Sequence, residues 1–232
     1  FTGSIEGIPY TFLNTSAVVV AQSSGTYSTA ITLKEGAFVT NRYTVNVLNT
    51  DQRFLIPNIL VDTTTLAVQV INSSTDSTAR TFTSADNVVS LDGTSQVYFL
   101  SEVEDGQFEV KFGDDVIGKK LDNGNIVIFS YLISSGTNGN DVSSLTYTGS
   151  ISGVTGATFT KTAPSSGGAS RQSISSIKFS APKSYESQNR VVTIEDYKAL
   201  LLGQSNISGV SVWGGEDNDP PAFGRVYISV IP

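Results

Sequence analysis

The chain has 232 residues, 39% hydrophobic and 15% charged, with a formal net charge of −7 and a sequence pI near 4.5. That balance argues against nucleic acid, whose binding depends on neutralising phosphates with Lys and Arg, and the nearest thing to a basic run is the pair Lys119 and Lys120. No apolar run approaches the roughly 20 residues needed to span a membrane as a helix, and with neither Cys nor His there is no disulfide framework, thiolate chemistry, His-dependent triad or His/Cys zinc site.

Residues 1 to about 60 read as strands. Tyr10 to Leu13 and Ala17 to Ala21 are short apolar runs separated by Asn14-Thr15-Ser16. A hairpin is expected next, with Tyr27 to Leu33, a turn at Lys34-Glu35-Gly36, and Ala37 to Val47. Ile31 and Leu33 flank Thr32, and Tyr43, Val45 and Val47 alternate with polar residues, the period of two of a sheet with one wet face. Arg53 to Asn58 gives another strand, ended by Pro57.

The β signal continues from Leu60 to about Thr162. Leu66 to Ile71 is a strand, and Asn72 to Thr78 a polar loop. Gln96 to Leu100 and Gln107 to Phe112 flank a turn at Glu104-Asp105-Gly106, with Phe108, Val110 and Phe112 pointing one way and Glu109 and Lys111 the other. Ile126 to Ile133 is almost continuously apolar, as in a strand buried on both faces. Weak strands are expected around Leu145 to Thr148 and Ala157 to Thr162. The Gly/Ser/Pro-rich stretch at 163–168 places the main boundary there.

Two helices follow. Ser170 is positioned to cap a short one from Arg171 to Ser180, with Ile174 and Ile177 on one face and Pro182 ending it. The second starts at an N-cap, Thr193, with Asp196 completing a near capping box. Ile194, Tyr197, Leu200 and Leu201 recur at helical spacing, and Gly203 is the stop. Ile207 to Trp213 is then a strand, Gly214 to Pro221 an acidic loop, and Gly224 to Ile231 the last strand. The expected fold is mainly β with a smaller α+β part. Antiparallel strands make a β-rich body over 1–165, with subdomains 1–60 and 61–165 as an option, and a helix packs on a small sheet over 166–232. The absence of Met even at position 1, and an end just after the apolar run Val226 to Ile231, suggest a piece of a longer chain with its last domain cut short. There is no basic-then-apolar signal peptide at the front.

The stretch with Gly167, Gly168, Ala181, Pro182, Gln188, Arg190, Val191, Val192, Thr193, Asp196, Tyr197 and Leu200 resembles the baseplate J-like family of contractile phage tails. Two further spaced patterns agree. One runs through Phe112-Gly113-Asp114, Gly118, Asn123-Gly124, Ile126-Val127, Tyr131, Gly136 and Gly139-Asn140. The other runs through Val210, Val212, Gly214-Gly215-Glu216, Pro221, Gly224, Val226 and Ile228. Where this chain has Asp115 the family usually has glycine, which puts that turn's geometry in question. The resemblance implies a structural, non-enzymatic building block of a baseplate wedge in the virion, assembled in the host cytoplasm. It implies partners in copies of the same chain, as dimer or ring, and in other wedge proteins, with wedges joined into an inner ring around the hub.

The carboxylates are the remaining candidates for chemistry. Glu102, Glu104 and Asp105 cluster, as do Asp114 and Asp115, and Glu216, Asp217 and Asp219. Paired carboxylates could serve a hydrolase, but turn residues held in water explain them more simply. Asp122-Asn123-Gly124-Asn125 has the flavour of a calcium loop without its ordered spacing, and a hairpin turn, with Asn-Gly permitting positive φ, explains it more simply; Glu216 to Asp219 is the better metal candidate. No catalytic, cofactor or metal residue is assigned and no cofactor is expected. Asn14, Asn72 and Asn206 begin glycosylation-type triplets that lack a secretory context. Trp213 reads either as core or as an interface anchor, and Arg190 either as a surface residue or as one reaching a neighbouring subunit. The Arg225 to Ile231 edge and the Glu216 to Pro221 loop are the candidate contact surfaces. A β-sandwich carbohydrate-binding or adhesin-type module is the alternative.

Overall fold

The computed structural model describes all residues except 24, 86, 87, 89, 150, 152, 153, 155, 156, 188, 189, 205, 206 and 232, and only the backbone of 23, 183, 184, 186 and 187. It is mostly β, with two helices, and divides into two compact units, 1–165 and 166–232.

The first unit opens with a hairpin of β1 (Thr2–Ile5) and β2 (Ile8–Leu13). Its two-residue turn places Glu6 and Gly7 at φ 50° and 82°, the pair of positive angles a tight hairpin of native twist requires. β3 (Gln22–Ser23) and β4 (Thr26–Tyr27) form a minimal second hairpin, and β5 (Lys34–Glu35) adds to β2. Then come β6 (Ala37–Thr44), β7 (Phe54–Ile56), β8 (Val61–Ile71), β9 (Ala79–Ser84), β10 (Val97–Glu102), β11 (Phe108–Phe112) and β12 (Ile126–Ile133). These seven form one sheet in the order β6-β12-β8-β9-β10-β11-β7.

Several sequence expectations need correction here. Ala17 to Ala21 is exposed and unpaired, because a run of valines needs a neighbouring strand to become one. The expected hairpin across Lys34-Glu35-Gly36 does not form. Residues 28–33 carry no strand, β5 pairs with β2, and β6 pairs with β12. The body is not wholly antiparallel, since β9 and β10 run parallel. Neither Leu145 to Thr148 nor Ala157 to Thr162 is a strand, and Thr146 makes only a single bridge to Thr2. The Asp115 turn, by contrast, adopts φ 70°, the left-handed backbone a glycine would take.

The large sheet is rolled. Its two edge strands meet where the Tyr43 hydroxyl of β6 donates to the Leu55 carbonyl of β7 at 2.6 Å, and the Tyr43 and Phe54 rings pack edge-on at 5.8 Å. The core inside is built from Ile56, Val68, Val70, Val127, Phe129 and Tyr131, all fully buried. The Tyr131 hydroxyl lies 2.6 Å from Asn41 Oδ1 and 2.5 Å from Asn58 Oδ1. A hydroxyl carries one proton, so one of the two amides must turn its NH2 toward it. A bulge between Ser130 and Leu132 frees the Leu132 amide, which Thr65 Oγ1 accepts at 2.9 Å.

Glu109 is the exception on the outer face of β11. It is buried, with Arg53 Nε at 2.7 Å and Lys111 Nζ at 3.4 Å. The hydrogen bond from Arg53 holds its carboxyl below the usual 4.5. A depressed folded-state value stabilises above the unfolded value and loses that stabilisation as pH falls through the folded one. Glu109→Gln should therefore flatten the loss of stability below pH 4.5, read from denaturant midpoints across an acid series. Phe129→Ala should cost about 3–5 kcal/mol, the large-to-small range for a fully enclosed ring, in the same assay.

In the second unit, α1 spans Ile174–Ser187, later and longer than expected. The Ser176 amide donates to Ser173 Oγ at 3.2 Å, so Ser173 rather than Ser170 takes the capping role. Pro182 sits inside the helix and does not end it. It forfeits one bond to the Lys178 carbonyl, which on this exposed helix water can satisfy. α2 spans Ile194–Leu202, as its spacing predicts. Asp196 N donates to Thr193 Oγ1 at 3.2 Å and Thr193 N to Asp196 Oδ2 at 2.8 Å, a complete capping box. Gly203 closes the helix in ordinary right-handed backbone, φ −73°. β13 (Gly209–Gly214) and β14 (Val226–Ile231) pair antiparallel, and α2 lies against β13. Thr193→Ala should lower the stability of this unit by about 0.5–2 kcal/mol. The emission of Trp213, the only tryptophan, reads that unit directly.

Candidate interaction surface

The Asp114–Asp115 pair is committed to its own turn. Asp114 Oδ1 accepts from the Val116 and Ile117 amides, both at 3.0 Å, and those backbone bonds lower its carboxyl from the ordinary value. Asp115 Oδ1 accepts from Lys119 Nζ at 2.9 Å and the Lys120 amide at 3.0 Å, and is lowered chiefly by Lys119. Glu102, Glu104 and Asp105 are exposed around a single 3-10 turn, where Asp105 takes φ 57°.

The residues from Asp122 to Asn125 form a tied turn. Asn125 is buried, accepting from the Asp122 amide at 2.9 Å and donating to the Asn72 carbonyl at 2.9 Å, while Asn123 Oδ1 accepts from Val47 N at 3.1 Å. These side-chain oxygens serve protein donors. Around Gly215–Asp217 a 3-10 turn leaves Glu216, Asp217 and Asp219 exposed, and Asn218 Oδ1 accepts from Trp213 Nε1 at 2.9 Å. Among the described residues no group of three His, Cys, Asp or Glu is placed to hold a metal. Asn14 and Asn72 lie in exposed and part-exposed turns, while Asn206 and Gln188 fall outside the described residues.

Trp213 is half-buried. Its ring stacks on Tyr227 with centroids 5.9 Å apart and planes 14° apart. Both belong to one face of the β13–β14 pair, together with Ser211 and Ser229. Arg190 is exposed.

The other face carries the feature that sequence reasoning underweighted. Val210 and Val212 of β13 share it with Val226, Ile228 and Val230 of β14, by register and the period of two. Val212, on the strand that α2 lies against, is buried. Its three β14 neighbours remain 46%, 45% and 47% exposed, and Ile231 and Phe223 are 65% and 79% exposed. The alternation V-x-I-x-V was the available signal. It identified the strand, but it could not show that its apolar face would stay open. Val192, Leu200 and Leu202 are exposed as well, so this unit presents apolar surface of the kind that marks interaction sites.

Residues 193–232 match the family model described as baseplate structural protein gp6, C-terminal domain I. The match spans α2, β13 and β14, the same elements that carry the open apolar face. It covers 40 of the 232 residues and supports a structural protein of a phage baseplate. It is not a match to the baseplate J-like family that the sequence resembles. No curated protein matches the chain.

Proposed function

We propose that the chain is a structural component of a phage tail baseplate wedge that self-associates and joins wedges into the inner ring around the hub, in the manner of the large inner-ring wedge protein of T-even-type phages. The observation that carries this reading is the family match at 193–232, which falls on the part of the chain whose apolar side chains are left in water. Residues 1–165 serve as a rigid β-rich domain and 166–232 as an α+β domain through which contacts are made. The partners are copies of the chain and other wedge proteins. The chemistry is surface complementarity rather than catalysis, and assembly takes place in the host cytoplasm before incorporation into the virion.

Light scattering on the purified chain across a wide concentration range tests self-association. The expected outcome is a mass that rises with concentration from one copy toward two or more. A single-copy mass throughout would remove self-association by this chain.

A further inference from the structure

We propose that the first unit is two bodies on a latched hinge. The rolled sheet, 37–134, is inserted into an outer layer built from both 1–36 and 135–165, and Lys34 is the latch that holds the layer against the sheet.

The unit has two separate cores. That of the rolled sheet takes its buried residues from Val45 to Tyr131, and its partly buried neighbours lie between Val39 and Ile133. A second core gathers Tyr10, Phe12 and Val142, with Phe1, Ile5, Leu33 and Leu145 packed on it. The two share no residue, and the second draws on both ends of the unit while skipping everything from β6 to β12. Backbone joins those ends as well. Thr2 and Thr146 exchange hydrogen bonds at 2.9 and 2.7 Å, and the Phe1 ring lies 5.0 Å from Tyr147 and 5.0 Å from Phe159. Segments that share a core and a bridge move as one body, and bodies with separate cores can open independently.

The chain crosses between the bodies twice, side by side. On the way in, the Gly36 amide donates to the Thr11 carbonyl of the layer at 2.9 Å, while Ala37 already pairs with Ile133 of β12. On the way out, the Ser134 amide donates to the Leu60 carbonyl, between β7 and β8, at 3.1 Å, while the Ser135 amide turns to Glu35 at 2.8 Å. Backbone allegiance thus changes from one residue to the next at each crossing. Both crossings carry a glycine at positive φ, Gly36 at 146° and Gly136 at 61°. A Cβ on Gly36 would lie 2.6 Å from the Ile133 carbonyl oxygen, so the two crossings run in contact and glycine is required there. Adjacent crossings define a single axis, and a few such positions can absorb the turn of a hinge. Leu132, fully buried yet a member of neither core, sits at that axis, 3.5 Å from the same Cβ position.

Away from the axis the layer is held by a long reach. Lys34 of β5 donates to Asp62 Oδ2 at 2.8 Å and to Thr64 Oγ1 at 2.5 Å, both on β8. Asp62 is prepared for it, since its Oδ1 accepts from the Thr64 amide at 3.0 Å and the Thr64 hydroxyl at 2.6 Å. The pair is part-exposed, 37% for Lys34 and 25% for Asp62, so water and salt can compete for it. Closed, the latch gives the rigid domain proposed above. Open, it lets the two bodies turn about the crossings with both cores intact.

The absence of native cysteine allows paired spin labels in the full chain. Ser4→Cys with Thr81→Cys spans the two bodies, Gln69→Cys with Glu104→Cys lies within the rolled sheet, and Ile8→Cys with Ser143→Cys joins the two segments of the layer, all at exposed positions. Pulsed electron paramagnetic resonance should give a narrow distance for each. Lys34→Met keeps the length of the side chain and removes the charge. It should at least double the width of the Ser4–Thr81 distribution and leave the other two unchanged. Raising salt to ~1 M should broaden the same pair without the substitution, and should add little once Met is in place. A Ser4–Thr81 distance that stays narrow under both treatments would overturn the hinge. Broadening of all three pairs together would show one cooperative body, and broadening of Ile8–Ser143 would show that the layer is not a unit; either result would overturn it as well.

Discussion

Strand β12 is the element on which the first unit depends. It has a hydrogen-bonded neighbour on each side, β6 and β8, and Val127, Phe129, Tyr131 and Leu132 along it are fully buried. Its consequences extend past the ladder. The Tyr131 hydroxyl ties Asn41 to Asn58 across the fold. Just beyond the strand, Ser134 and Ser135 supply three donors to the Glu35 carboxylate, at 3.2, 2.8 and 2.9 Å, which fixes the small β1-β2-β5 sheet to the large one. A charged group holding several hydrogen bonds at once is a firm joint, because breaking any one leaves a poorly solvated carboxylate. Rolling the sheet until Tyr43 reaches Leu55 then covers the core without a second sheet.

The second unit obeys the opposite constraint. Two strands present two faces and two edges, and a two-stranded sheet is marginal by itself. One helix lies against β13, which accounts for the burial of Val212 and for little else. What holds α2 is local: a capping box at its start and Lys198 Nζ 3.0 Å from Glu195 Oε1 on its exposed side. Such interactions fix where a helix begins and how it runs, but they bury no apolar area. The unit therefore carries well-formed elements and uncovered apolar side chains together, a combination suited to an interface more than to a free surface.

Legibility from sequence followed the same division between local and non-local causes. Thr193 and Asp196 were readable as a cap because the bond partners are three residues apart. Gly124, at φ 84°, and the turn at Glu104 to Gly106 were readable for the same reason. The continuous run Ile126 to Ile133 announced a strand, but not one buried on both faces: Val127, Phe129 and Tyr131 are enclosed while Ile126, Ile128 and Ser130 on the other face are only part-buried. The errors arose where pairing decides. Val18 to Val20 have strand chemistry and no strand beside them, and Lys34-Glu35 joined Leu13 and Phe12 of β2, well upstream, rather than folding back on β6. Pro182 misled because the penalty for an interior proline shrinks where the freed carbonyl meets water. For the candidate surface, the residues of β14 were legible as a strand and its edge as a contact, but exposure is a property of what is absent beside a residue. No periodicity reports that.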